Sequence, residues 1–264
     1  MAEALIEGLI SSGLAAPGQI IAHDRDEKRL FYIAERYKTK VNKEKYEVAN
    51  AADIIIVAVK PDDVAGVLAD IAPEVTREKL IISVVAGKTT GTLLELLMAG
   101  GLRHPVKIIR AMPNLPALVR EGATGIFAGS GAGMEEIKTA NAIFGAVGAV
   151  VNVNDEALMD AVTGLSGSGP AYVFLFMSAL IEAGVKEGLP REDAKRLVAQ
   201  TVLGAAKTAI ESGKDVEELI KMVASPGGTT IEGLRVFEEA GLKKIVKEAV
   251  GSATRKAREL AGRG

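Results

Sequence analysis

Residues 53–61, Asp-Ile-Ile-Ile-Val-Ala-Val-Lys-Pro, decide the fold class. The apolar run 53–59 is short and rich in β-branched residues, which indicates a strand that is buried on both faces, as in parallel sheets. Pro61 has no backbone N–H to donate to a neighbouring strand and therefore ends this strand. A second run of the same kind occupies residues 80–85, Leu-Ile-Ile-Ser-Val-Val.

Helical patterns alternate with strand patterns through the first half of the chain. We predict helices over residues 2–12, 26–37, 62–71, 90–99 and 134–144, and further strands over residues 20–22, 106–110 and 123–128. Strands that alternate with helices of about ten residues form parallel βαβ units. The first half is therefore predicted to be a doubly wound, Rossmann-like parallel sheet.

From residue 155 onward the sequence contains no convincing strand pattern. We predict helices over residues 155–162, 171–187, 191–212, 215–223, 230–239 and 241–261. The segment 171–187 is apolar nearly all round, which is typical of a buried core helix. The sequence thus predicts a dinucleotide-binding α/β domain over residues 1–152 and an all-helical domain over residues 153–264. The helical domain forms either an oligomer interface or a self-contained bundle.

Composition excludes several classes of function. The formal net charge is -2 with interspersed signs, so a nucleic acid or an anionic membrane is not an expected partner. The chain has no cysteine and only two histidines, His23 and His104, which excludes disulfides, thiolate chemistry and a multi-histidine metal site. No apolar run approaches the roughly 18 residues that span a bilayer, and the acidic start does not resemble a signal peptide. We expect a cytoplasmic protein without a bound metal.

Two segments follow predicted strands at the edge where open parallel sheets bind ligands. Residues 58–61, Ala-Val-Lys-Pro, place Lys60 where it can meet a phosphate or a ribose. Residues 83–87, Ser-Val-Val-Ala-Gly, are small enough for a flat ring to lie against their backbone. The alternative is that both segments merely end their strands.

Asp24 and Arg25 follow the early strand at residues 20–22. In a dinucleotide fold, an acid at this place hydrogen-bonds the ribose hydroxyls, whereas an arginine accommodates a 2′-phosphate. The preference between NAD and NADP is therefore left open, and Arg25 could also be a solvated charge at a helix start. No G-x-G-x-x-G fingerprint precedes this strand. The glycine-rich segment 129–133 has a different spacing, and we interpret it as a turn between a strand and a helix.

Two breaks interrupt the helical half. Residues 163–172 contain glycines, hydroxyls and Pro170, and indicate either a tight helix cap whose amides face an anion or a plain interhelix connection. Residues 224–234 place hydroxyls and amides at the start of another helix, an arrangement that binds a carboxylate well. The alternative for this second break is an ordinary N-cap by Thr229 or Thr230.

Five segments, in this order and spacing, resemble the pyrroline-5-carboxylate reductase family. They are Ala58-Val59-Lys60-Pro61, Arg110-Ala111-Met112-Pro113-Asn114, Glu121-Gly122-Ala123-Thr124, the loop 164–172 and the loop 225–234. The last loop is the most specific, and the similarity covers essentially the whole chain. The resemblance implies a reductase that forms proline with NADPH or NADH. It also implies a helical dimerisation domain, assembled as a homodimer or as a larger ring of dimers.

The resemblance also implies roles for individual residues. Ser225 and the amides of Gly228, Thr229 and Thr230 would hold the substrate carboxylate, and the Thr230 hydroxyl, our catalytic candidate, would reach the ring nitrogen. With Asp24 and Arg25, the expected cofactor-binding residues are Ala58, Val59, Lys60, Pro61, Val85, Ala86 and, near the nicotinamide, Asn114. The loop around Ser225 could come from a partner subunit, which would make dimerisation a condition of activity.

Members of this family begin with a strand and a glycine-rich loop that precede the position of Met1. We therefore expect a sheet without its central strand and weakened cofactor binding, and a mis-assigned start codon is the simplest explanation. Alternatively, the shortened domain rearranges or borrows a strand from another subunit. A catalytically impaired, nucleotide-sensing or structural oligomer is the alternative. A β-hydroxyacid or imine dehydrogenase is the rival enzyme, but Lys186 and Lys195 lack the glycine-rich setting of its catalytic lysine.

Overall fold

The computed structural model describes residues 1–262, which form two compact units. The α/β unit consists of Met1–Ser168 together with the chain from Gly251 onward, and the helical unit consists of Gly169–Val250. The strands are β1 (Ile21–Ala22), β2 (Lys40–Val41), β3 (Ile54–Val57), β4 (Leu80–Ser83), β5 (Lys107–Met112), β6 (Gly122–Ala128) and β7 (Gly148–Asn152).

Seven α-helices lie in the described part of the α/β unit before Ser168. They are α1 (Ala2–Ser11), α2 (Glu27–Tyr37), α3 (Lys45–Ala51), α4 (Val64–Ile71), α5 (Thr90–Ala99), α6 (Met134–Gly145) and α7 (Leu158–Val162). The helical unit contains α8 (Gly169–Lys186), α9 (Arg191–Glu211), α10 (Val216–Val223), α11 (Thr229–Glu239) and the start of α12 (Leu242–Leu260). The predicted helices are confirmed with small shifts of their ends, whereas α3, β2 and β7 were not predicted.

The main sheet has five strands in the order β3-β4-β5-β6-β7. Strands β3, β4 and β5 are parallel, as predicted, but β6 runs antiparallel to β5, and β7 is parallel to β6. The connection from β5 to β6 is the short segment 113–121, which is too short for the crossover that a parallel neighbour requires. Strands β1 and β2 pair with each other in a separate, two-stranded parallel sheet.

Alternate residues of the central strands feed two hydrophobic clusters on opposite faces of the sheet. Ile81 and Ile108 pack with residues of α4 and α5, whereas Ile82 and Ile109 pack with residues of α1 and α6. Helices therefore cover both faces, which confirms the doubly wound architecture. Strand β4 is buried throughout, but Ile54 of β3 is 38% exposed. The prediction of a fully buried strand at 53–59 is wrong, because β3 lies at the edge of the five-stranded sheet.

The glycine-rich segment 129–133 is a turn between β6 and α6, as interpreted from the sequence. Gly131 has a φ of +84°, which a side chain would disfavour. At Gly129, an added Cβ would lie only 2.8 Å from the Cβ of Thr90. These glycines are therefore explained by backbone shape and close packing, without any bound phosphate.

The helical unit carries the largest departure from the sequence prediction. Just before it, residues 163–167 form a π-helical turn and Ser168 a bend between α7 and α8, so the predicted break at 163–172 is present but shorter, and α8 already begins at Gly169. Helix α8 has no buried residue, and Leu175 is 72% exposed, so the prediction of a buried core helix is wrong for the single chain. Within this unit Phe176 of α8 contacts Phe237 of α11 with ring centroids 6.1 Å apart, and Ala194 of α9 is buried.

By length and composition alone, the stretch Leu158–Lys186 could cross a membrane. The sequence prediction that no segment meets this criterion is therefore wrong, because the helix continues through the turn at 163–167. Only 6% of its most apolar window is buried in the single chain. A single helix of this kind is weak support for a membrane span, since a helix that packs against another subunit has the same composition.

Candidate active site

Asp24 and Arg25 lie in the exposed segment that follows β1. One carboxylate oxygen of Asp24 accepts the backbone N–H of Asp26 at 3.0 Å. The Arg25 guanidinium donates to a carboxylate oxygen of Asp63 at 3.3 Å, yet its side chain remains 75% exposed. Asp63 follows the loop at Lys60 and Pro61, so this ion pair links the ends of β1 and β3. Both a carboxylate and an exposed cation are thus displayed at this edge.

The loop after β3 presents the residues that the sequence analysis selected. Ala58 and Val59 are half-buried, whereas Lys60 and Pro61 are exposed. The Lys60 carbonyl accepts the N–H of Asp63 at 3.0 Å, which closes a tight turn before α4. The loop therefore combines a small apolar surface with one exposed ammonium group.

The loop after β4 presents backbone more than side chains. The Val85 side chain is buried in the hydrophobic cluster, and its N–H donates to the Ser83 hydroxyl at 3.2 Å. Ala86 is half-buried, and Gly87 has a φ of +70°. An added Cβ at Gly87 would lie 2.8 Å from the Cβ of Leu260, so the end of α12 packs against this loop. Any contact of Val85 with a ligand is therefore through its backbone.

Asn114 is largely buried, with 9% of its surface exposed. Its side-chain amide nitrogen donates to the carbonyl of Ser166 at 2.9 Å, and its amide oxygen accepts the N–H of Ala123 at 2.9 Å. Asn114 therefore ties the π-helical turn to the start of β6. This holds the side chain in one orientation at the carboxyl end of β5.

The loop 225–230 lies in the helical unit. Gly227 has a φ of +73°, and Gly228 is the N-cap of α11. The N–H of Gly228 donates to the carbonyl of Ser225 at 3.0 Å, so this amide is already used within the turn. The contact of the Gly228 amide with a substrate carboxylate stays a prediction, and it would compete with this bond.

Thr229 and Thr230 begin α11 but do not cap it. No side-chain hydrogen bond caps the helix, so the alternative of an ordinary threonine N-cap is wrong. The first-turn amides of a helix have no partner within the helix. The amides of Thr229 and Thr230 therefore point toward the N-terminal end of α11, where the helix dipole favours an anion. The two threonine hydroxyls lie beside them.

The comparisons with known proteins agree over nearly the whole chain. A family model described as pyrroline-5-carboxylate reductase dimerisation matches residues 156–260, and one described as NADP oxidoreductase coenzyme F420-dependent matches residues 1–87. The pyrroline-5-carboxylate reductase of Methanosarcina acetivorans is 43% identical over 98% of this chain and 94% of its own length. The chain belongs to the pyrroline-5-carboxylate reductase family.

Solved structures of this family agree with that assignment. The reductase from Coxiella burnetii superposes with a TM-score of 0.92 at 37% identity, covering 98% of this chain and 94% of the other. The Plasmodium falciparum enzyme, whose structure has NADP bound, gives a TM-score of 0.85 at 34% identity, with coverages of 98% and 93%. The fold of a Rossmann-like domain followed by a helical dimerisation domain is thereby confirmed.

The residues at the strand ends fit the NAD(P) cofactor that a reductase of this family uses. An exposed arginine beside an acid suits a ribose or its phosphate, and Lys60 adds a second cation. The backbone-lined loop at Val85 and Ala86 suits a flat ring. Among residues 1–262, no group of three or more carboxylate or histidine side chains is placed to hold a metal ion.

One feature near the candidate site, the buried charge of Arg110, was not predicted from the sequence. Arg110 on β5 is only 1% exposed, although it carries a full charge. Its guanidinium lies 3.5 Å from a carboxylate oxygen of Glu156 and 3.8 Å from one of Asp160. The available signal was a charged residue at the end of the predicted strand 106–110. A buried charge requires a charged or hydrogen-bonded partner, which the sequence did not identify.

Proposed function

We propose that this chain reduces 1-pyrroline-5-carboxylate to L-proline by hydride transfer from NADPH or NADH, the last step of proline biosynthesis. The chain is an oxidoreductase of the pyrroline-5-carboxylate reductase family. The single observation that carries the proposal is the 43% identity to a reductase of this name across 98% of the chain. The specific loop 225–234 is present in full, which favours catalysis over a structural role.

The reaction requires a hydride at the imine carbon and a proton on the ring nitrogen. When bound, the reduced nicotinamide supplies the hydride. The protein then has to hold the nicotinamide and the pyrroline ring face to face and to prevent other relative orientations of the two rings. No histidine, cysteine or metal is needed for these tasks, so the scarcity of such residues is compatible with the reaction.

The substrate carboxylate is assigned to the start of α11. The amides of Thr229 and Thr230, together with the Ser225 hydroxyl, form an anion-binding turn at a helix N-terminus. The Gly228 amide is proposed to bind the carboxylate with them, although in the turn it donates to the carbonyl of Ser225. The positive end of the helix dipole adds to the attraction for the carboxylate.

Thr230 is the catalytic candidate. Its hydroxyl is proposed to hydrogen-bond the ring nitrogen and so orient the imine. A threonine hydroxyl is too weak an acid to be the main source of the proton. The proton therefore comes from solvent, or the substrate binds already protonated as an iminium.

The cofactor is assigned to the edge formed by the ends of the strands. Asp24 and Arg25 would meet the ribose, with Arg25 suited to the 2′-phosphate of NADP. Ala58, Val59, Lys60 and Pro61 would line one wall, and the backbone of Val85 and Ala86 the other. Asn114 would lie near the nicotinamide, where its two hydrogen bonds keep it in place.

The helical domain, proposed as residues 153–264, would form a homodimer or a larger ring of dimers and complete the substrate site. The exposed apolar side chains of α8, such as Phe174 and Leu175, support such an assembly. A cytoplasmic location, with neither a membrane nor a nucleic acid as partner, is proposed with it.

The test is to purify the chain and follow NADPH and NADH oxidation with 1-pyrroline-5-carboxylate, while proline is measured by chromatography. Equal amounts of cofactor consumed and proline formed are expected. Absence of turnover with both cofactors, in a folded and oligomeric protein, would favour a structural or nucleotide-sensing oligomer.

A further inference from the structure

Glu156 holds the first residue of α5 through two hydrogen bonds. One carboxylate oxygen accepts the N–H of Thr90 at 2.7 Å, and the other accepts the Thr90 hydroxyl at 2.9 Å. Thr90 follows directly after the loop 84–89, which carries Val85 and Ala86. The carboxylate of a residue distant in sequence therefore fixes the carboxyl end of this loop.

Helix α5 supplies only part of its own N-terminal capping. The Thr89 hydroxyl accepts the N–H of Thr92 at 3.0 Å, but the first turn of α5 contains no acidic residue. Glu156 provides a negative charge at this helix end, where the helix dipole favours an anion. Because the carboxylate binds both the amide and the hydroxyl of Thr90, it restrains that residue in position and in rotamer.

Arg110 in turn restrains Glu156. It is buried, it lies between the carboxylates of Glu156 and Asp160, and it pairs in register with Ser83 of β4. The network thus connects the start of α5, strand β5 and helix α7 within the α/β unit. The hydrogen bonds of Glu156 to Thr90 are charge-assisted and partly buried, which makes them stronger than those between neutral, solvated groups.

We propose that Glu156 is a positioning residue for the nicotinamide cofactor, acting through Thr90 on the loop 84–89. The inference rests on the proposed function, since that loop is assigned to the cofactor by the same reasoning. A loop that is ordered before binding does not lose conformational freedom when the cofactor arrives. If only a fraction of the molecules holds the loop in the binding-competent conformation, the apparent affinity for the cofactor is reduced to that fraction of its intrinsic value.

The test compares Glu156→Gln and Thr90→Val with the conservative variant Thr90→Ser. Valine has the shape of threonine but lacks the hydroxyl that donates to Glu156, and only its backbone N–H still donates, whereas serine keeps the hydroxyl. We expect the NADPH dissociation constant, measured by fluorescence titration without substrate, to rise about tenfold in Glu156→Gln and in Thr90→Val. The NADPH dissociation constant of Thr90→Ser should stay within about twofold of the wild-type value, because serine keeps the hydrogen bond to Glu156.

Amide hydrogen exchange of the cofactor-free protein is the second readout. Peptides that cover residues 84–93 should exchange faster in Glu156→Gln and in Thr90→Val, while peptides from the helical unit should not change. In steady-state kinetics, KM for NADPH should rise while kcat at saturating NADPH stays near the wild-type value. A residue with a purely structural role would instead change the melting temperature without this local pattern.

Unchanged NADPH affinity and unchanged exchange at residues 84–93 in the folded variants would overturn the inference. Should Glu156→Gln fail to fold because Arg110 loses a partner, Thr90→Val decides, since it leaves the ion pairs of Arg110 in place. The two proposals fail differently. A wild-type protein without reductase activity refutes the proposed function, whereas an active wild type with unaffected variants refutes only the role of Glu156.

Discussion

Replacing Thr230 by alanine should lower kcat/KM for 1-pyrroline-5-carboxylate by about ten- to a hundredfold, the loss of one or two good hydrogen bonds. Each tenfold loss corresponds to about 1.4 kcal/mol of transition-state stabilisation. The Thr230 hydroxyl is proposed to contact the ring nitrogen, and its amide stays in place in the variant. Carboxylate binding should therefore be largely preserved.

The structure predicts that this substitution leaves the fold intact. Thr230 is the second residue of α11, the N-cap is Gly228, and no side-chain hydrogen bond caps the helix. Alanine is a better helix former than threonine by roughly 0.5 kcal/mol. The melting temperature should thus stay constant or rise slightly, and a loss of activity cannot then be attributed to unfolding.

The assay is steady-state NADPH oxidation, with two matched controls. Thr230→Ser keeps the hydroxyl and should retain most of the activity. Thr229→Ala removes the neighbouring, exposed hydroxyl and tests whether any threonine at the start of α11 is sufficient. A Thr230→Ala enzyme with wild-type kcat/KM would remove the Thr230 hydroxyl from the mechanism and leave the amides of the turn and the Ser225 hydroxyl.

Three further substitutions test the architecture. Gly87→Ala places a Cβ 2.8 Å from that of Leu260 at a φ of +70°, so we expect a loss of about 1–2 kcal/mol or more in urea unfolding and a weaker NADPH affinity. A stability equal to that of the wild type would show that the end of α12 does not pack on this loop. The hydrogen bond from Lys107 lowers the pKa of Glu136 from 4.5 to about 2. A carboxyl group whose pKa is lower in the folded than in the unfolded state stabilises the fold fully when the pH lies above the unfolded-state pKa. The melting temperatures of the wild type and Glu136→Gln should therefore differ most near neutral pH. That difference should close as the pH falls from 4.5 toward 2, and a constant difference would contradict the role of the ion pair. Gly148→Ala brings a Cβ within 2.0 Å of the backbone of β6 at a φ of +146°, which should cost at least about 3 kcal/mol and shift the urea midpoint strongly. A wild-type midpoint would exclude this close approach.

Much of the α/β unit could be predicted because its strands are continuous apolar runs. Residues 80–85 have no other stable place than the interior of a sheet, and β4 is indeed buried throughout. Strand β7 was missed because its side chains are only partly covered, so the pattern at 148–152 is weak. The direction of β6 was missed for a different reason, since direction depends on the length of a connection and not on periodicity.

The candidate site was less predictable, because its decisive contacts join residues that are far apart in sequence. Arg110 begins one of the family-like segments, Arg110–Asn114, but nothing near it in sequence indicates the carboxylates of Glu156 and Asp160. The Gly228 amide was expected to face a ligand, yet the local turn uses it. Spacing in sequence predicted where the loops lie, but it does not indicate which of their polar groups are already hydrogen-bonded in the folded chain.

The exposure of α8 has a consequence for handling the protein. The large apolar side chains of α8 are exposed to water in the isolated chain. If another copy covers them, association stabilises the folded state, and the stability then depends on the protein concentration. We expect the melting temperature to climb with protein concentration, and very dilute assays to lose specific activity over time. Enzyme stocks should accordingly be compared only at equal molarity.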